Sequence, residues 1–384
     1  MKILVLNYEY PPIGGGGGVI SKYISEGLSK LGHEITVVTS WIDGLNERDI
    51  YPNIKIIRLK SKRKNINQSS PTEMLSWIKQ AKHFLSNYLV YEKFDLSFAN
   101  FALPSGEVAF FLKNKFKLPY VVLSHVHDIP WIKPIELYFY HAIYYSKLKK
   151  ICRNSLANYV QSTEMKQNID QFIGEKYAFK NILISNGCDI EKYVPFFDKK
   201  AKRLRILFVG RLVKQKDPMT FLKAIRLLAI KQTDFTVHIL GDGNLRKKME
   251  NYVLKYNLLQ VVFKGRLSEK EMISEYEKAN LLIAPSINEG MSIAIIEAIF
   301  AGIYVITTPA SGNSELISEN INGNIIEFGN FKSIADCAIN FYKEKFLNNY
   351  EIPATFLNDF KRHHNWQEIV KKYDNSLNKI TVVR

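Results

Sequence analysis

Residues 2–31 read KILVLNYEYPPIGGGGGVISKYISEGLSKL, and this stretch contains the pattern from which the fold is predicted. Residues 2–7 are mostly aliphatic and suit a short buried strand, while residues 20–31 carry apolar side chains at helical spacing. Five consecutive glycines, residues 14–18, stand between them. A strand, a turn and a helix in this order form the repeating unit of a doubly wound parallel α/β sheet.

The same alternation continues along the chain and then starts again. In the first half, strands are predicted at residues 34–39, 55–59, 96–99, 120–124, 159–162 and 182–185, with a long helix at 72–91. In the second half, strands are predicted at residues 205–209, 236–240, 261–264, 280–284, 304–307 and 324–328. The charged, aperiodic stretch 193–203 separates the two series. We therefore predict one domain over residues 1–195, a second over 196–360, and a helix over 361–384 that packs back on the first.

Composition supports this organisation and excludes several classes of protein. A chain of 384 residues exceeds the usual size of one core, and 46% hydrophobic residues argue against disorder. The cysteines Cys152, Cys188 and Cys337 show neither paired spacing nor grouping with histidine, which predicts reduced thiols in a cytoplasmic protein without a zinc site. The apolar run at residues 3–6 is too short for a signal peptide, and no run of about eighteen apolar residues occurs. We expect a protein that is neither secreted nor membrane-spanning.

The formal net charge of +16 indicates an anionic partner. Nucleic acid, an anionic membrane surface and phosphorylated small substrates would all be attracted by it. Residues 131–153 (WIKPIELYFYHAIYYSKLKKICR) mix aromatic residues with lysines and suit the headgroup region of a membrane. The alternative for residues 131–153 is an ordinary packed helix with a basic, solvated face. The alternative for the net charge is that it reflects a proteome rich in Lys, Ile and Asn.

Residues 288–302 read NEGMSIAIIEAIFAG and place Glu289 and Glu297 eight residues apart across a predicted loop-to-helix junction. Helical spacing starts near Met291, so the backbone N–H groups of residues 290–293 are expected to be free for a phosphate or another anion. Glu297 falls on the same helical face as Glu289, and its carboxylate could accept hydrogen bonds from sugar or ribose hydroxyls. The alternative is one acid that favours the helix dipole and one exposed acid.

Further motifs follow other predicted strands. The glycine run allows close approach of a phosphate or sugar, although a flexible loop would also contain glycines. The dinucleotide fingerprint fits it poorly, because Val19 occupies the third glycine position and no acid ends the second strand. After the first strand of the second domain, Arg211 follows Gly210 and is joined by Lys214 and Lys216, which suits a diphosphate, although surface basic residues are common.

Two more strand ends carry polar side chains. His125, His127 and Asp128 follow one strand, and Asn186 follows the last strand of the first domain. A histidine at such a position either belongs to a functional site or is simply a packed or solvated side chain. Because ligands of doubly wound sheets bind beyond the carboxyl ends of the strands, we expect these motifs to line a cleft between two facing domains.

Taken together, these motifs resemble glycosyltransferase family 4, whose members are retaining, sugar-nucleotide-dependent transferases of the GT-B fold. The resemblance rests on YPPIGG, GHEITVV, SNGCDIEKY, GRLVKQK, the E-x7-E run and the terminal helix at residues 366–377, all in the family's order. It implies an acceptor-binding first domain and a donor-binding second domain. Two positions depart from the family pattern: Asp217 stands where a glycine is usual, and Met291-Ser292 replaces Phe-Gly.

The resemblance also implies roles for individual residues. Arg211 and Lys216 grip the donor diphosphate, Glu289 contacts the donor sugar, and Glu297 holds the ribose hydroxyls. His125, or else His127, lies near the acceptor and the reacting carbon. The remaining donor-binding candidates are Gly15, Gly16, Gly17, Gly210, Arg266, Leu267, Gly290, Met291, Ser292 and Ile293, and the acceptor-side candidates are His127, Asp128 and Asn186.

The implied mechanism is a front-face transfer in which the leaving diphosphate accepts the proton of the acceptor. Neither metal nor cofactor is expected, since basic residues and a helix end supply the positive charge and the chain has no D-x-D triplet. The expected partners are a UDP- or GDP-linked sugar and a glycan or lipid-linked acceptor, with the protein cytoplasmic or peripheral on the inner face of the cytoplasmic membrane. A GT-B epimerase and a binding protein without turnover are the alternatives; carboxylates facing the ligand argue against nucleic acid.

Overall fold

The computed structural model describes residues 1–66, 69–128, 130, 138–193, 203–231 and 234–382. The chain folds into two compact units, one formed by Met1–Ser185 with Trp366–Arg384 and the other by Asn186–Asn365. Each unit has its own cluster of buried apolar side chains. Two independent cores are what a chain of this length favours.

The described part of the chain contains twelve α-helices. They are α1 (Gly16–Lys30), α2 (Pro71–Tyr91), α3 (Ser105–Phe116), α4 (Tyr138–Asn154), α5 (Thr163–Ile173), α6 (Pro218–Lys231), α7 (Arg246–Lys255), α8 (Glu269–Glu277), α9 (Ile293–Phe300), α10 (Phe331–Asn340), α11 (Ala354–His364) and α12 (Trp366–Val382). Helices α1 to α5 and α12 belong to the first unit. Among the residues described, none of the helices combines the length and the apolar character needed to cross a bilayer.

The first unit is built on an eight-stranded sheet. Its strands are β1 (Lys2–Asn7), β2 (Glu34–Ser40), β3 (Arg48–Tyr51), β4 (Ile54–Leu59), β5 (Leu96–Asn100), β6 (Tyr120–Leu123), β7 (Asn158–Val160) and β8 (Asn181–Leu183). They lie in the order β3-β4-β2-β1-β5-β6-β7-β8, and only β3 and β4 pair antiparallel. The order reverses between β1 and β5, which creates a topological switch point beside the glycine run.

The second unit is built on a six-stranded parallel sheet. Its strands are β9 (Leu204–Val209), β10 (Phe235–Leu240), β11 (Val261–Gly265), β12 (Leu281–Ala284), β13 (Tyr304–Thr307) and β14 (Gly323–Ile325). The order β11-β10-β9-β12-β13-β14 is the Rossmann order, with the switch point between β9 and β12. Ligands of such sheets bind beyond the carboxyl ends of the strands at this point.

The predicted pattern of strands and helices is confirmed, with two differences in the first unit. Strand β3 was not predicted, because it is a short edge strand whose exposed residues lack the alternation of a half-buried strand. Helix α1 starts at Gly16 rather than near Val19, since the N–H groups of Gly18 and Val19 both bond to the carbonyl of Gly15, at 3.0 and 3.2 Å. The last glycines of the run therefore form a helical turn.

The chain passes from one unit to the other at positions that differ from the predicted boundaries. Residues 186–193 belong to the second unit, whereas the predicted boundary falls at residues 195/196, outside the described residues. The predicted helix at 361–384 is the end of α11, in the second unit, followed by α12 in the first. Helix α12 packs on the first sheet through Tyr373, whose ring lies 5.0 Å from that of Tyr159.

Candidate active site

Lys216 and Glu289 meet beyond the carboxyl ends of β9 and β12. Lys216 ends a single 3-10 turn, Lys214–Lys216, and Glu289 lies in the loop between β12 and α9. Their side chains form a salt bridge and are 16% and 17% exposed. Since β9 and β12 flank the switch point, the pair occupies the position where doubly wound sheets bind their ligands.

Two hydrogen bonds fasten the loops that carry this pair. The N–H of Ile287 donates to the carbonyl of Gln215, and Gln215 Nε2 donates to the carbonyl of Asn288, both at 2.8 Å. The loops after β9 and β12 are therefore joined by backbone as well as by the salt bridge. Gln215 was not singled out from the sequence, because its role depends on a loop that is distant along the chain.

Asp217 adopts a left-handed backbone conformation with φ of 45°. At this position glycine is usual in glycosyltransferase family 4. Glycine suits this region, and aspartate is among the few other residues that tolerate it. Asp217 Oδ1 also accepts a hydrogen bond from the N–H of Thr220 at 3.3 Å, in the first turn of α6. The departure from the family pattern thus keeps the turn and adds a helix cap.

Arg211 and Arg266 follow the ends of β9 and β11, and both side chains are exposed. Leu267 is half-buried against the core of the second unit. The chain at Gly210 touches the next loop closely, because a Cβ on Gly241 would lie 2.0 Å from the carbonyl oxygen of Gly210. The Gly241-Asp242-Gly243 turn therefore supports the loop that carries Arg211.

The amino end of α9 differs from the sequence prediction. The helix starts at Ile293, with Ser292 as the residue before it, rather than near Met291. The prediction that the N–H groups of residues 290–293 are all free is wrong for Ser292, whose N–H donates to Asn313 Oδ1 at 3.2 Å. Asn313 lies in the 3-10 turn Ser311–Leu316 that follows β13, and its side chain takes one N–H at this helix end. A single-sequence pattern gives no signal for such a contact.

Glu297 lies on α9 and is half-buried. Its Oε2 accepts a hydrogen bond from the Tyr276 hydroxyl at 2.9 Å, and the Tyr193 hydroxyl donates to the same carboxyl group. Burial raises the pKa of Glu297 to about 7, although these hydrogen bonds act in the opposite direction. The carboxyl group of Glu297 is thus fixed by hydrogen bonds from two tyrosines, and Glu297 is not an exposed surface acid.

A second cluster of candidate residues lies in the first unit. Asn100 Nδ2 donates to the carbonyl of Gly17 at 2.9 Å, and Asn100 Oδ1 lies 2.7 Å from His125 Nε2. Because the amide nitrogen is used by Gly17, the amide oxygen must accept, so His125 carries a proton on Nε2. A Cβ on Gly17 would lie 2.6 Å from the Phe101 ring, whereas one on Gly16 would meet no atom within 4 Å. Packing therefore requires glycine at 17 but not at 16.

Asp128 supports the loop that carries His125. Its Oδ2 accepts from the N–H of His125 at 2.9 Å and its Oδ1 accepts from the N–H of Leu103 at 3.4 Å. Burial raises the pKa of Asp128 to about 7 against these backbone donors. The side chain of His127 lies outside the described part of the structure, although its backbone belongs to a 3-10 turn, Val126–Asp128.

Asn186, an acceptor-side candidate in the sequence, lies in the second unit. It is buried, and its Nδ2 donates to the carbonyl of Met291 at 2.9 Å. Asn186 thus contacts the predicted donor loop. Gly15, Gly16 and Gly17 lie in the first unit with His125, whereas Arg211, Lys216, Glu289 and Glu297 lie in the second.

Two family models match the chain in succession. The Glycosyltransferase Family 4 model matches residues 14–192, from the glycine run onward. The Glycosyl transferases group 1 model matches residues 189–355, which include the E-x7-E run. The chain belongs to the family 4 glycosyltransferases. The two matches meet close to the point at which the chain passes from the first unit to the second.

This glycosyltransferase is similar to proteins of several organisms. An uncharacterized glycosyltransferase of Methanocaldococcus jannaschii is 29% identical over 378 residues, which cover 96% of each chain. The UDP-Gal:alpha-D-GlcNAc-diphosphoundecaprenol alpha-1,3-galactosyltransferase of Escherichia coli is 30% identical over 180 residues, or 43% of this chain and 46% of that protein. HepE from Anabaena, solved in complex with UDP-glucose, superposes with a TM-score of 0.77 at 17% identity and covers 99% of this chain and 100% of its own. The fold of this glycosyltransferase is therefore GT-B.

Proposed function

We propose that this glycosyltransferase transfers a hexose-type sugar, with retention of configuration, from a UDP- or GDP-linked donor to a hydroxyl of a glycan or lipid-linked acceptor. The reaction would serve the synthesis of cell-surface polysaccharide or glycolipid, at the cytoplasmic side of the membrane. The observation that carries the proposal is the Lys216–Glu289 pair at the switch point of the second unit. An ammonium beside a carboxylate suits a ligand in which an anionic diphosphate is joined to a sugar rich in hydroxyls.

Two similar proteins support the choice of substrates. The Escherichia coli relative is named for UDP-Gal and for a diphosphoundecaprenol-linked acceptor. The structurally similar HepE was solved with UDP-glucose.

In the proposed reaction, the bond between the anomeric carbon and the diphosphate oxygen breaks. The acceptor oxygen then bonds to that carbon on the same face, and the acceptor proton passes to the leaving diphosphate. Arg211 and Lys216 offset the negative charge that grows on the diphosphate, without a metal ion. Glu289 orients the sugar and Glu297 binds the ribose hydroxyls. The proposal also gives His125 the acceptor-side role that the family resemblance implies.

The experiment incubates purified protein with a panel of UDP- and GDP-hexoses and with polyprenyl-diphosphate-linked sugars. Mass spectrometry detects the product, and the coupling constant of its anomeric proton reports the configuration. An acceptor-linked product with the donor's configuration is expected. An altered sugar nucleotide formed without any acceptor would instead identify an epimerase, and donor binding without a product would identify a binding protein.

A further inference from the structure

Two buried asparagines hold the two ends of one peptide group in the loop before α9. Asn186 Nδ2 donates to the carbonyl of Met291 at 2.9 Å, and Asn313 Oδ1 accepts from the N–H of Ser292 at 3.2 Å. That carbonyl and that N–H belong to the same planar peptide unit. Asn186 is 3% exposed and Asn313 is fully buried. The peptide group between Met291 and Ser292 is thus gripped on opposite sides.

Hydrogen bonds on the Asn313 side determine which way the Met291–Ser292 peptide group points. The Thr307 hydroxyl donates to the carbonyl of Ala284 at 2.9 Å, so its oxygen is left to accept from Asn313 Nδ2 at 3.3 Å. With its amide nitrogen committed to Thr307, Asn313 must present its oxygen to Ser292. The orientation of the peptide group is therefore fixed by a chain of hydrogen bonds that begins at the end of β12.

The Asn186 side is anchored by α11. His364 Nδ1 donates to the carbonyl of Asn186 at 2.8 Å, which fixes the backbone of Asn186. Asn186 Oδ1 is buried and has no hydrogen-bond partner among the described residues, so the carbonyl of Met291 is what holds this amide. The reverse orientation of the amide would bring two oxygens together. Residue 186 must therefore be a hydrogen-bond donor.

We propose that Asn186 and Asn313 are positioning residues that set the Met291–Ser292 peptide, and with it the loop from Glu289 to Ile293, in the orientation that binds the donor. The proposal rests on the proposed function, because it assigns this loop to the sugar nucleotide. The Ser292 N–H, held by Asn313, is not available to a diphosphate. Turning the peptide over would move both the loop that follows Glu289 and the first turn of α9.

The decisive variant is Asn186→Asp, which has the same shape but replaces the donor by an acceptor. At pH 8 its carboxylate would face the carbonyl of Met291, and we expect UDP or GDP to bind about 10- to 100-fold more weakly than to the wild type. As the pH falls to 6, the buried carboxyl takes up a proton and its O–H can donate, so binding relative to the wild type at the same pH should recover. A role in packing alone gives no such recovery of binding.

A matched control is Asn322→Asp. Asn322 is fully buried, and its Nδ2 also donates to a backbone carbonyl, that of Leu316, at 2.9 Å. It lies directly before β14, at the amino end of that strand and away from the donor loop. Asn322→Asp and Asn186→Asp should both lower Tm at pH 8, while nucleotide binding by folded Asn322→Asp stays at the wild-type value.

Asn313 is tested by a pair of substitutions. Asn313→Leu removes the acceptor and should weaken nucleotide binding about 10-fold or more, while Asn313→Asp at pH 6 keeps both an acceptor and a donor and should restore it. Isothermal titration with UDP and GDP measures all variants. If the wild type binds neither nucleotide, the proposed function fails. If the wild type binds one of them and Asn186→Asp binds it equally well at pH 8, only the positioning role is overturned.

Discussion

Lys216 and Glu289, which lie on loops after two neighbouring strands, form a salt bridge at the switch point of the second unit. In the absence of a ligand each side chain offsets the charge of the other. A diphosphate bound here would compete with Glu289 for the ammonium group, and Glu289 would then be released toward the hydroxyls of the sugar.

Lys216→Ala should reduce kcat about 100-fold or more, because the charge of the leaving diphosphate is greatest in the transition state. Arg211→Ala should act in the same direction. Steady-state kinetics with the donor found in the panel measures both variants. Lys248→Ala, on the exposed face of α7, is the control and should keep the wild-type kcat. A wild-type kcat for Lys216→Ala would place the diphosphate clamp elsewhere.

Glu297→Gln should change stability in a way that depends on pH. The pKa of Glu297 is about 7 in the folded protein and 4.5 as its ordinary value, so the folded state binds more protons between these pH values. The contribution of Glu297 to stability is therefore fully present below about pH 4.5 and is lost as the pH rises through 7. Without ligand, the Tm of Glu297→Gln relative to the wild type should be higher at pH 8 than at pH 5. An equal difference at both values would contradict the raised pKa.

Gly16→Ala and Gly17→Ala separate ligand access from packing in the first turn of α1. The new methyl group would meet the Phe101 ring at position 17 but open space at position 16. We expect Gly17→Ala to lower Tm, and Gly16→Ala to leave Tm unchanged while raising the KM of the donor. If the donor KM of Gly16→Ala equals that of the wild type, the backbone of the glycine run does not approach the donor.

Activity should survive incubation with EDTA, since Arg211 and Lys216 supply the positive charge proposed to stabilise the diphosphate. The measurement is the transfer rate after chelation, with and without added magnesium or manganese. Loss of activity that either metal restores would show that the reaction needs a metal ion.

Binding to anionic vesicles is predicted for α4 and the segment before it. Residues 131–137 of that segment lie outside the described residues. Lys147 is committed to an ion pair with Glu107 at 3.1 Å, so the exposed Lys150 and Ile143 are the better test positions. Ile143→Ser with Lys150→Glu should reduce sedimentation with phosphatidylglycerol vesicles.

The control for this experiment is Ile230→Ser in the second unit. Ile230 is 72% exposed and Ile143 is 75% exposed, so Ile230→Ser and Ile143→Ser remove similar amounts of apolar surface. The control should bind the anionic vesicles as strongly as the wild type does. Binding of both proteins should fall with added salt. Equal recovery of the wild type from neutral and anionic vesicles would remove the membrane proposal without affecting the transferase proposal.

The sequence by itself determined the class of fold and most of the donor-side candidates. Short aliphatic runs that alternate with helical spacing specify buried parallel strands, and motifs that follow those strands must gather at one edge of a sheet. For this reason Lys216 and Glu289, 73 residues apart, could be predicted to share a site. The existence of two units was also predicted from the sequence.

Only the tertiary structure decided which polar groups satisfy one another. Asn313 accepts from the N–H of Ser292, Asn186 donates to the carbonyl of Met291, and Asn100 fixes the proton on His125. Each of these contacts joins residues that are distant along the chain, and a hydrogen bond requires placement within a few tenths of an ångström. Hydrophobic periodicity specifies the face on which a residue lies, but it carries no information at that precision.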